Sequence, residues 1–334
     1  MEMKKKIIIF TGDNYWISNI LLSSFAPYLI ERGFRVFVVM NGTKLNCFYQ
    51  YLKSLYRFVY FFKYFNEIDW SNSLSRAFFF PTCFFVKKHN FEYVYITQKE
   101  FKNNEFEIFI KTLKPDYGLS FAWPYKFPKN IIELFQSIIN YHNGILPYYR
   151  GTYSTQWSIY NNESFTGYSY HLISEDIDAG PVLIARSAPI SSAKSSFAHE
   201  LHKTIIASND ASELINEYIL GKRIASEKVS TKKGTYYSLK DFENITNITN
   251  PSKLEVSEIN RRAKIFGFVN IQANGDWLMN VKEVKEKKRL LIRKYTFKTK
   301  FNDYAQVRNL CSFMLNKYLI SFKNAIKYIF FVRK

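Results

Sequence analysis

Apolar residues near the start of the chain follow two different patterns, first a continuous run and then a helical repeat. "KKIIIFTG" is an unbroken apolar run, which is typical of a strand buried on both faces. In the next segment, "WISNILLSSFAPYLIERGF", apolar residues recur at helical spacing from Ile17 to Leu29, and Gly33 can end the helix. "RVFVVM" then has the pattern of a second strand. A strand, helix and strand of these lengths predict a right-handed parallel crossover.

The alternation of strand and helix patterns continues to Gly221. Strand patterns occur in "YVYI", "DYGLSFAW", the second half of "NIIELFQSIINYH", and the pair "TGYSYHLI" and "PVLIARSAPI". Helix patterns occur over residues 46–65, in "NEFEIFIKTLK", in the first half of "NIIELFQSIINYH" and in "FAHELHKTIIASNDASELINEYILG". For the last helix we predict Ser196 as the cap and Gly221 as the stop. The pattern indicates an α/β domain with a mostly parallel sheet over residues 1–222.

Beyond Arg223 the sequence becomes polar and rich in turn residues, as expected of a linker. A helix over Val256–Phe266 and strands in "WLMNVKEV" and "RLLIRKYTF" follow, and a helix is predicted from Ala305 to Phe331. We therefore predict a smaller α+β unit over residues 223–334 that ends in an amphipathic helix.

Composition narrows the class of protein. The 334 residues carry a net charge of +19, which favours a polyanionic partner such as nucleic acid, a phosphorylated small molecule or an anionic membrane, although lysine-rich drift explains it equally well. The three cysteines (Cys47, Cys83 and Cys311) are too few and too far apart for a disulfide framework or a metal site. No apolar run has the length of a signal peptide or a membrane span. We expect a cytoplasmic protein.

The stretch "INYHNGILPYYRG" carries the most specific chemistry. Asn140 and His142 are two residues apart, so on a strand both point to the same side. An asparagine amide can stabilise an oxyanion, and a histidine can move a proton near neutral pH. Downstream, Glu175, Asp176 or Asp178 of "SEDIDAGPVL" could orient the histidine. Taken without context, the pair is more often a satisfied polar pair than a catalyst.

A second histidine pair, His199 and His202 in "HELH", lies at i, i+3 on the last predicted helix of the first domain. Two histidines without a third ligand do not make a zinc motif, and a solvated helix face is the better interpretation. We predict no metal site.

Two motifs together resemble the folate-dependent formyltransferases. The first joins Asn140 and His142 to a Leu-Pro turn and a glycine, and the second is an Asp-x-Gly turn at Asp178 and Gly180. The matching residues of the first motif are Asn140, His142, Leu146, Pro147, Arg150 and Gly151. The match is good from residue 114 to 186 and looser from 5 to 221. The resemblance implies a Rossmann-like formyltransferase fold and a cis peptide bond before Pro147.

The resemblance also implies roles for individual residues. Asn140 would donate to the developing oxyanion, His142 would relay the proton of the attacking amine, and Asp178, which alone holds the Asp-x-Gly position, would complete the triad. The co-substrate implied is N10-formyltetrahydrofolate. The residues implied to contact it are Phe121, Ala122, Trp123, Tyr125 and Gly151.

Three functions are possible, and the first two differ in the acceptor of the formyl group. The first acceptor is the amine of a nucleotide-linked deoxyamino sugar, such as a dTDP-amino sugar, destined for a lipopolysaccharide O-antigen or another surface polysaccharide. The second is the aminoacyl end of initiator tRNA. In the third, the protein has lost catalysis and only binds folate or a partner, which the intact triad argues against. The segment "RGTYSTQW" stands where the tRNA enzymes read Arg-Gly-Ala-Ala-Pro, and it favours the sugar, with no nucleic-acid partner.

The predicted C-terminal helix combines an apolar stripe with several lysines. Such a helix can lie on an anionic bilayer as a peripheral contact. The favoured interpretation is that it packs on the catalytic domain or on a second copy of the chain in a homodimer, because this is the commoner use of an apolar helix face.

Overall fold

The structure, a computed structural model, describes residues 4–12, 16–42, 66–69, 71–72, 74, 77, 80, 82–221, 234–273, 276–285 and 291–292. The described residues divide into two compact units. The first ends at Thr246 and also includes Lys264–Phe266, and the second begins at Asn247 and resumes at Gly267. The boundary predicted at residue 222 adjoins residues 222–233, which lie outside the described part, and it remains a prediction.

The first unit is built on a seven-stranded sheet with the order β3-β2-β1-β4-β5-β7-β8. Its strands are β1 (Lys6–Gly12), β2 (Arg35–Asn41), β3 (Glu92–Ile96), β4 (Tyr117–Phe121), β5 (Ser137–His142), β7 (Phe165–Leu172) and β8 (Val182–Pro189). The five strands from β3 to β5 in this order are parallel, and β7 and β8 join antiparallel. The predicted mostly parallel sheet is therefore confirmed. The strand order reverses between β1 and β4, and ligands of such sheets bind outside the carboxyl ends of the strands.

The helices cover both faces of this sheet. They are α1 (Trp16–Glu31), α2 (Thr82–Lys88), α3 (Gln98–Phe101), α4 (Asn104–Leu113), α5 (Lys129–Ile132), α6 (Ser154–Tyr160), α7 (Ser196–Asn209), α8 (Ala211–Glu213) and α9 (Leu239–Thr246). Residues Leu214–Leu220 form a π-helix, and a two-stranded sheet joins β6 (Arg150–Gly151) to β9 (Tyr236–Tyr237).

The continuous apolar run of β1 has a direct structural cause. Ile7 and Ile9 belong to the core cluster that includes Leu21 of α1, whereas Ile8 and Phe10 belong to the cluster on the other face, with Phe106 and Ile110 of α4. All four β1 residues are at most 1% exposed. Both faces of the strand are thus buried, so neither set of alternate positions can be polar.

The helix predicted in "FAHELHKTIIASNDASELINEYILG" differs from the expectation in two details, one at its start and one along its length. Ser195, not Ser196, is the cap, because the Ser195 hydroxyl accepts the Ala198 N–H while Ser196 is already helical. The long helix also divides after Asn209 into a short helical turn and the π-helix, which ends before Gly221 as predicted.

The second unit, considered alone, contains a three-stranded sheet in the order β10-β11-β12. Its elements are β10 (Asn247–Ile248), α10 (Val256–Phe266), β11 (Val269–Ala273), β12 (Asp276–Val281), β13 (Val284–Lys285) and β14 (Leu291–Ile292). Helix α10 has the predicted bounds, and the strand predicted in "WLMNVKEV" is present as β12 and β13. The predicted helices over 46–65 and 305–331 and most of the strand "RLLIRKYTF" lie outside the described residues, as do Cys47 and Cys311.

Candidate active site

Strand β5 presents Asn140 and His142 at the carboxyl edge of the sheet. The strand is central, parallel to β4 on one side and antiparallel to β7 on the other. Because Asn140 and His142 are two residues apart on a strand, their side chains lie on the same face of the sheet. His142 is buried there, with 5% of its surface exposed.

Asp178 contacts the histidine from the loop between β7 and β8. Its Oδ2 lies 3.3 Å from His142 Nδ1 and accepts the Gly151 N–H at 2.9 Å. Asp178 has φ of 50°, a left-handed conformation that turns its carboxylate back towards β5. Of the three candidate carboxylates, the one at the Asp-x-Gly position is the one that meets the histidine, while Glu175 pairs with Lys129 at 3.4 Å.

His171 is a member of this group that the sequence analysis did not single out. It lies on β7 directly opposite Asn140, with its Nε2 3.1 Å from the Asn140 amide nitrogen and 3.4 Å from Asp178 Oδ1. Its Nδ1 is 2.9 Å from the Leu172 carbonyl oxygen, so Nδ1 carries the proton and Nε2 accepts from the amide. The sequence contained a signal: a histidine in the strand "TGYSYHLI", shortly before the carboxylate turn.

The second nitrogen of His142 also has an oxygen partner. Nε2 lies 2.8 Å from the Tyr149 carbonyl oxygen and 3.4 Å from the Ser154 hydroxyl. Both ring nitrogens therefore face oxygens that accept hydrogen bonds. A protonated ring is satisfied at both nitrogens, so this histidine can take up a proton without rearrangement.

Burial and charge act on the two titrating partners in opposite ways. Burial lowers the pKa of His142 below its usual 6.5, and the Asp178 carboxylate opposes that shift. Burial by itself raises the pKa of Asp178, but the charge of His142 is the largest opposing effect, and that pKa stays below its usual value. Near neutral pH the pair is an ionised aspartate beside a neutral imidazole, which is the state that a general base requires.

Glycines let the loops around His142 approach closely. A Cβ on Gly180 would lie 1.8 Å from the Leu172 carbonyl oxygen, and one on Gly151, where φ is +90°, would lie 2.2 Å from the Tyr237 carbonyl oxygen. The peptide bond between Leu146 and Pro147 is cis, as predicted. The two motif glycines, Gly151 and Gly180, are thus required by close backbone packing.

The residues predicted to contact folate divide into two groups. Phe121 is fully buried against Phe25, so it can offer a ligand only its backbone, whereas Ala122 begins the following loop with φ of 57°. Trp123 and Tyr125 pack together in the second core cluster with ring centroids 5.1 Å apart. The Trp123 indole nitrogen is buried and has no hydrogen-bond partner among the described residues.

The histidine pair of α7 does not form a metal site. His199 is buried and its Nε2 lies 3.1 Å from the Ser191 carbonyl oxygen, while His202 is exposed. Across the residues described, no group of three or more His, Cys, Asp or Glu could hold a metal ion. Within the same residues no helix is both long and apolar enough to cross a membrane.

Comparison with known proteins reveals sequence relatives over part of the chain. Methionyl-tRNA formyltransferase of Thermodesulfovibrio yellowstonii is 33% identical over 93 residues, which are 28% of this chain and 30% of that protein. GDP-perosamine N-formyltransferase of Brucella melitensis is 33% identical over 97 residues, covering 29% and 38% of the two chains. These aligned regions therefore span about a third of each relative.

The fold is also shared with a solved structure. That structure is the N-formyltransferase of Helicobacter canadensis in complex with folinic acid and dTDP-3-aminofucose, with a TM-score of 0.54 at 18% identity over 85% of this chain and 88% of that one. Residues 68–208 match the family model described as formyl transferase, and they include the whole Asn140–His142–His171–Asp178 group. The resemblance to the folate-dependent formyltransferases is therefore confirmed over residues 68–208, the part of the chain that matches the formyl transferase model.

Proposed function

We propose that this protein transfers the formyl group of N10-formyltetrahydrofolate to the amino group of a nucleotide-linked deoxyamino sugar. The observation that carries formyl transfer is the continuous set of contacts from Asn140 through His171 and Asp178 to His142. It combines an amide donor, a buried neutral imidazole and an ionised carboxylate at the carboxyl edge of the sheet, where an α/β fold binds its ligands.

Asn140, His142 and Asp178 each have a separate role in the proposed formyl transfer. Asn140 donates an N–H to the formyl oxygen, which gains negative charge as the amine nitrogen bonds to the formyl carbon. His142 accepts the proton that the amine gives up. Asp178 stabilises the imidazolium, which then donates the proton to N10 as the bond from that nitrogen to the formyl carbon breaks. Atoms and charge balance, because the amine loses the one proton that N10 gains.

The loop after β4 fits the pterin part of the co-substrate. Trp123 has a buried indole N–H without a partner among the described residues, and such a donor is costly unless something accepts from it. A pterin ring carries several acceptor oxygens and nitrogens. The residues proposed to hold the co-substrate are Phe121 and Ala122 through their backbone, Trp123 and Tyr125 through their side chains, and Gly151.

Two lines of support favour the sugar acceptor. The Brucella relative is named for an amino-sugar substrate, and the solved Helicobacter structure contains a nucleotide-linked amino sugar. In this chain the residues after Gly151 form helix α6 with the sequence "STQWSIY", outside the Arg-Gly-Ala-Ala-Pro pattern of the tRNA enzymes. We further propose a cytoplasmic enzyme whose product enters a surface polysaccharide.

The alternative acceptor is charged initiator tRNA, which the match to a methionyl-tRNA formyltransferase and the net charge of +19 favour. One experiment separates the two. The full-length protein is incubated with N10-formyltetrahydrofolate and either a panel of dTDP- and GDP-linked amino sugars or methionyl initiator tRNA, and the gain of one formyl group is measured by mass spectrometry.

We expect formylation of at least one nucleotide sugar and none of the tRNA, with His142→Gln as the inactive control. Formylation of tRNA alone would reverse the choice of acceptor. If the protein binds folate but formylates neither acceptor, the proposal that it is a formyltransferase is contradicted.

A further inference from the structure

Lys203 on helix α7 is a fully buried lysine at the centre of the first unit, 0% exposed. Its Nζ lies within hydrogen-bond distance of four oxygens, which share its three N–H groups: the Asn143 carbonyl at 3.0 Å, the Thr155 hydroxyl at 2.8 Å, the Thr166 hydroxyl at 3.1 Å and the Gly167 carbonyl at 2.9 Å. The loop after β5, helix α6 and strand β7 therefore meet at one ammonium group.

None of these four oxygens carries a formal charge. A buried ammonium costs more free energy than an apolar side chain of the same volume, because the loss of hydration is only partly offset by hydrogen bonds to neutral oxygens and by the charge of Glu200 on the same helix. Packing alone therefore gives no reason for a lysine here. We therefore look for the role of the lysine in the segments that its ammonium group contacts and in the effect of its charge on nearby groups.

Each segment that Lys203 joins carries part of the active site. Asn143 directly follows His142, and Thr155 directly follows Ser154, whose hydroxyl lies 3.4 Å from His142 Nε2. Gly167 lies on β7, the strand that also carries His171. Two residues after Gly167 on the same strand, the Ser169 hydroxyl donates to the Gly144 carbonyl and accepts the Leu146 N–H, which fixes the turn after the histidine.

We propose that Lys203 is a positioning residue for His142: its ammonium group fixes the turn that follows the histidine and places a positive charge behind the imidazole. This inference rests on the proposed function only in taking His142 as the proton acceptor. It adds a residue to that site which contacts neither the acceptor amine nor the formyl donor.

The charges around His142 determine what removal of this lysine does. Burial lowers the pKa of His142, Asp178 raises it, and His171 and Lys203 lower it further. Burial also lowers the pKa of Lys203 to about 7, against the opposing effect of Glu200 on the same helix. Where the lysine is protonated, its charge disfavours the His142 imidazolium.

The test is the titration of the His142 ring in the full-length protein, followed by NMR with and without the substitution Lys203→Met. The chain has five histidines, and the NMR signal that disappears in His142→Gln is assigned to the His142 ring. We expect the midpoint of His142 to move to higher pH in Lys203→Met. The acid limb of kcat for formyl transfer should move in the same direction, with kcat lowered and the KM of the formyl donor unchanged.

Lys194→Met is the matched control, because Lys194 lowers the pKa of His202 and does not act on His142. It should raise the midpoint of His202 and leave that of His142 in place. An unchanged His142 midpoint in a folded Lys203→Met protein would overturn the proposal. This readout needs no turnover, so it stays decisive even if the protein formylates no sugar.

Thr155→Val covers the case in which Lys203→Met does not fold. It removes one of the four oxygens around Nζ and keeps the charge, so kcat should fall while the His142 midpoint does not rise. A folded Thr155→Val protein with the wild-type kcat would count against the positioning role.

Discussion

Asn140 and His171 are direct partners across the antiparallel pair of β5 and β7, and the imidazole accepts from the asparagine amide at 3.1 Å. The Leu172 carbonyl holds the imidazole tautomer, with its oxygen 2.9 Å from Nδ1. An asparagine amide has two N–H groups, so this contact leaves the second one to point in a fixed direction. The orientation of the Asn140 amide, the proposed oxyanion donor, thus depends on a neighbouring strand.

The first prediction concerns this pair. In His171→Phe the amide loses its acceptor and turns freely, so kcat should fall about 2- to 10-fold, the equivalent of one net hydrogen bond, with little change in either KM. Asn140→Ala removes the donor itself and should cost roughly 100- to 1,000-fold. The measurement is steady-state kinetics of both variants and of the double variant. A double variant much slower than Asn140→Ala would show that His171 acts independently of the amide.

The second prediction concerns pH. Asp178 raises the pKa of His142, so Asp178→Asn should lower that pKa and move the acid limb of kcat to lower pH. Turnover should fall strongly at every pH, since the imidazolium loses its partner. A pH profile from 4 to 9 (roughly, spanning the usual histidine pKa) measures both effects. The shift is opposite to that expected of Lys203→Met, and a shift of the limb to higher pH would contradict the assignment of His142 as the base.

The third prediction tests the folate loop with two tryptophans. Trp123 and Trp157 each have a buried indole N–H without a partner among the described residues. Trp123→Phe should weaken binding of tetrahydrofolate about 2- to 10-fold, because the ligand loses one hydrogen bond. Trp157 stacks on Tyr237 instead, with ring centroids 4.2 Å apart, and Trp157→Phe should leave folate binding unchanged. Isothermal titration calorimetry gives both values, and equal losses in the two variants would argue against a specific contact at Trp123.

The fourth prediction concerns the glycine of the Asp-x-Gly turn. Gly180→Ala should destabilise the protein by about 1–3 kcal/mol or more, because the new methyl group would overlap the Leu172 carbonyl oxygen and the backbone would have to move. Gly33→Ala is the control: φ is +76° there, but nothing lies within 4 Å of a Cβ, so only the conformational cost of about 1 kcal/mol applies. Urea unfolding of both variants measures the difference. Equal midpoints would mean that the turn at Gly180 relaxes easily.

The pattern of the sequence determined the elements and the motif residues of the first unit. The unbroken run of β1 and the helical spacing of apolar residues in α1 specify local structure, because a strand buried on both faces needs apolar residues at successive positions and a buried helix repeats them every three to four residues. The two motifs that contain Asn140, His142 and Asp178 were likewise readable, since each combines a chemical group with a turn that only certain residues allow.

Only the tertiary structure decided how these groups meet. His171 and Lys203 become part of the site through strand register and through a helix that closes over β7, and neither relation leaves a period in the sequence. The structure likewise distinguished Ser195 from Ser196 as the cap, because the choice depends on which backbone N–H lies within reach of a hydroxyl. The spacing of apolar residues records which side of an element is buried. The distances among His171, Asn140 and Lys203 depend instead on how separate elements pack, and this packing is determined by all of their side chains together.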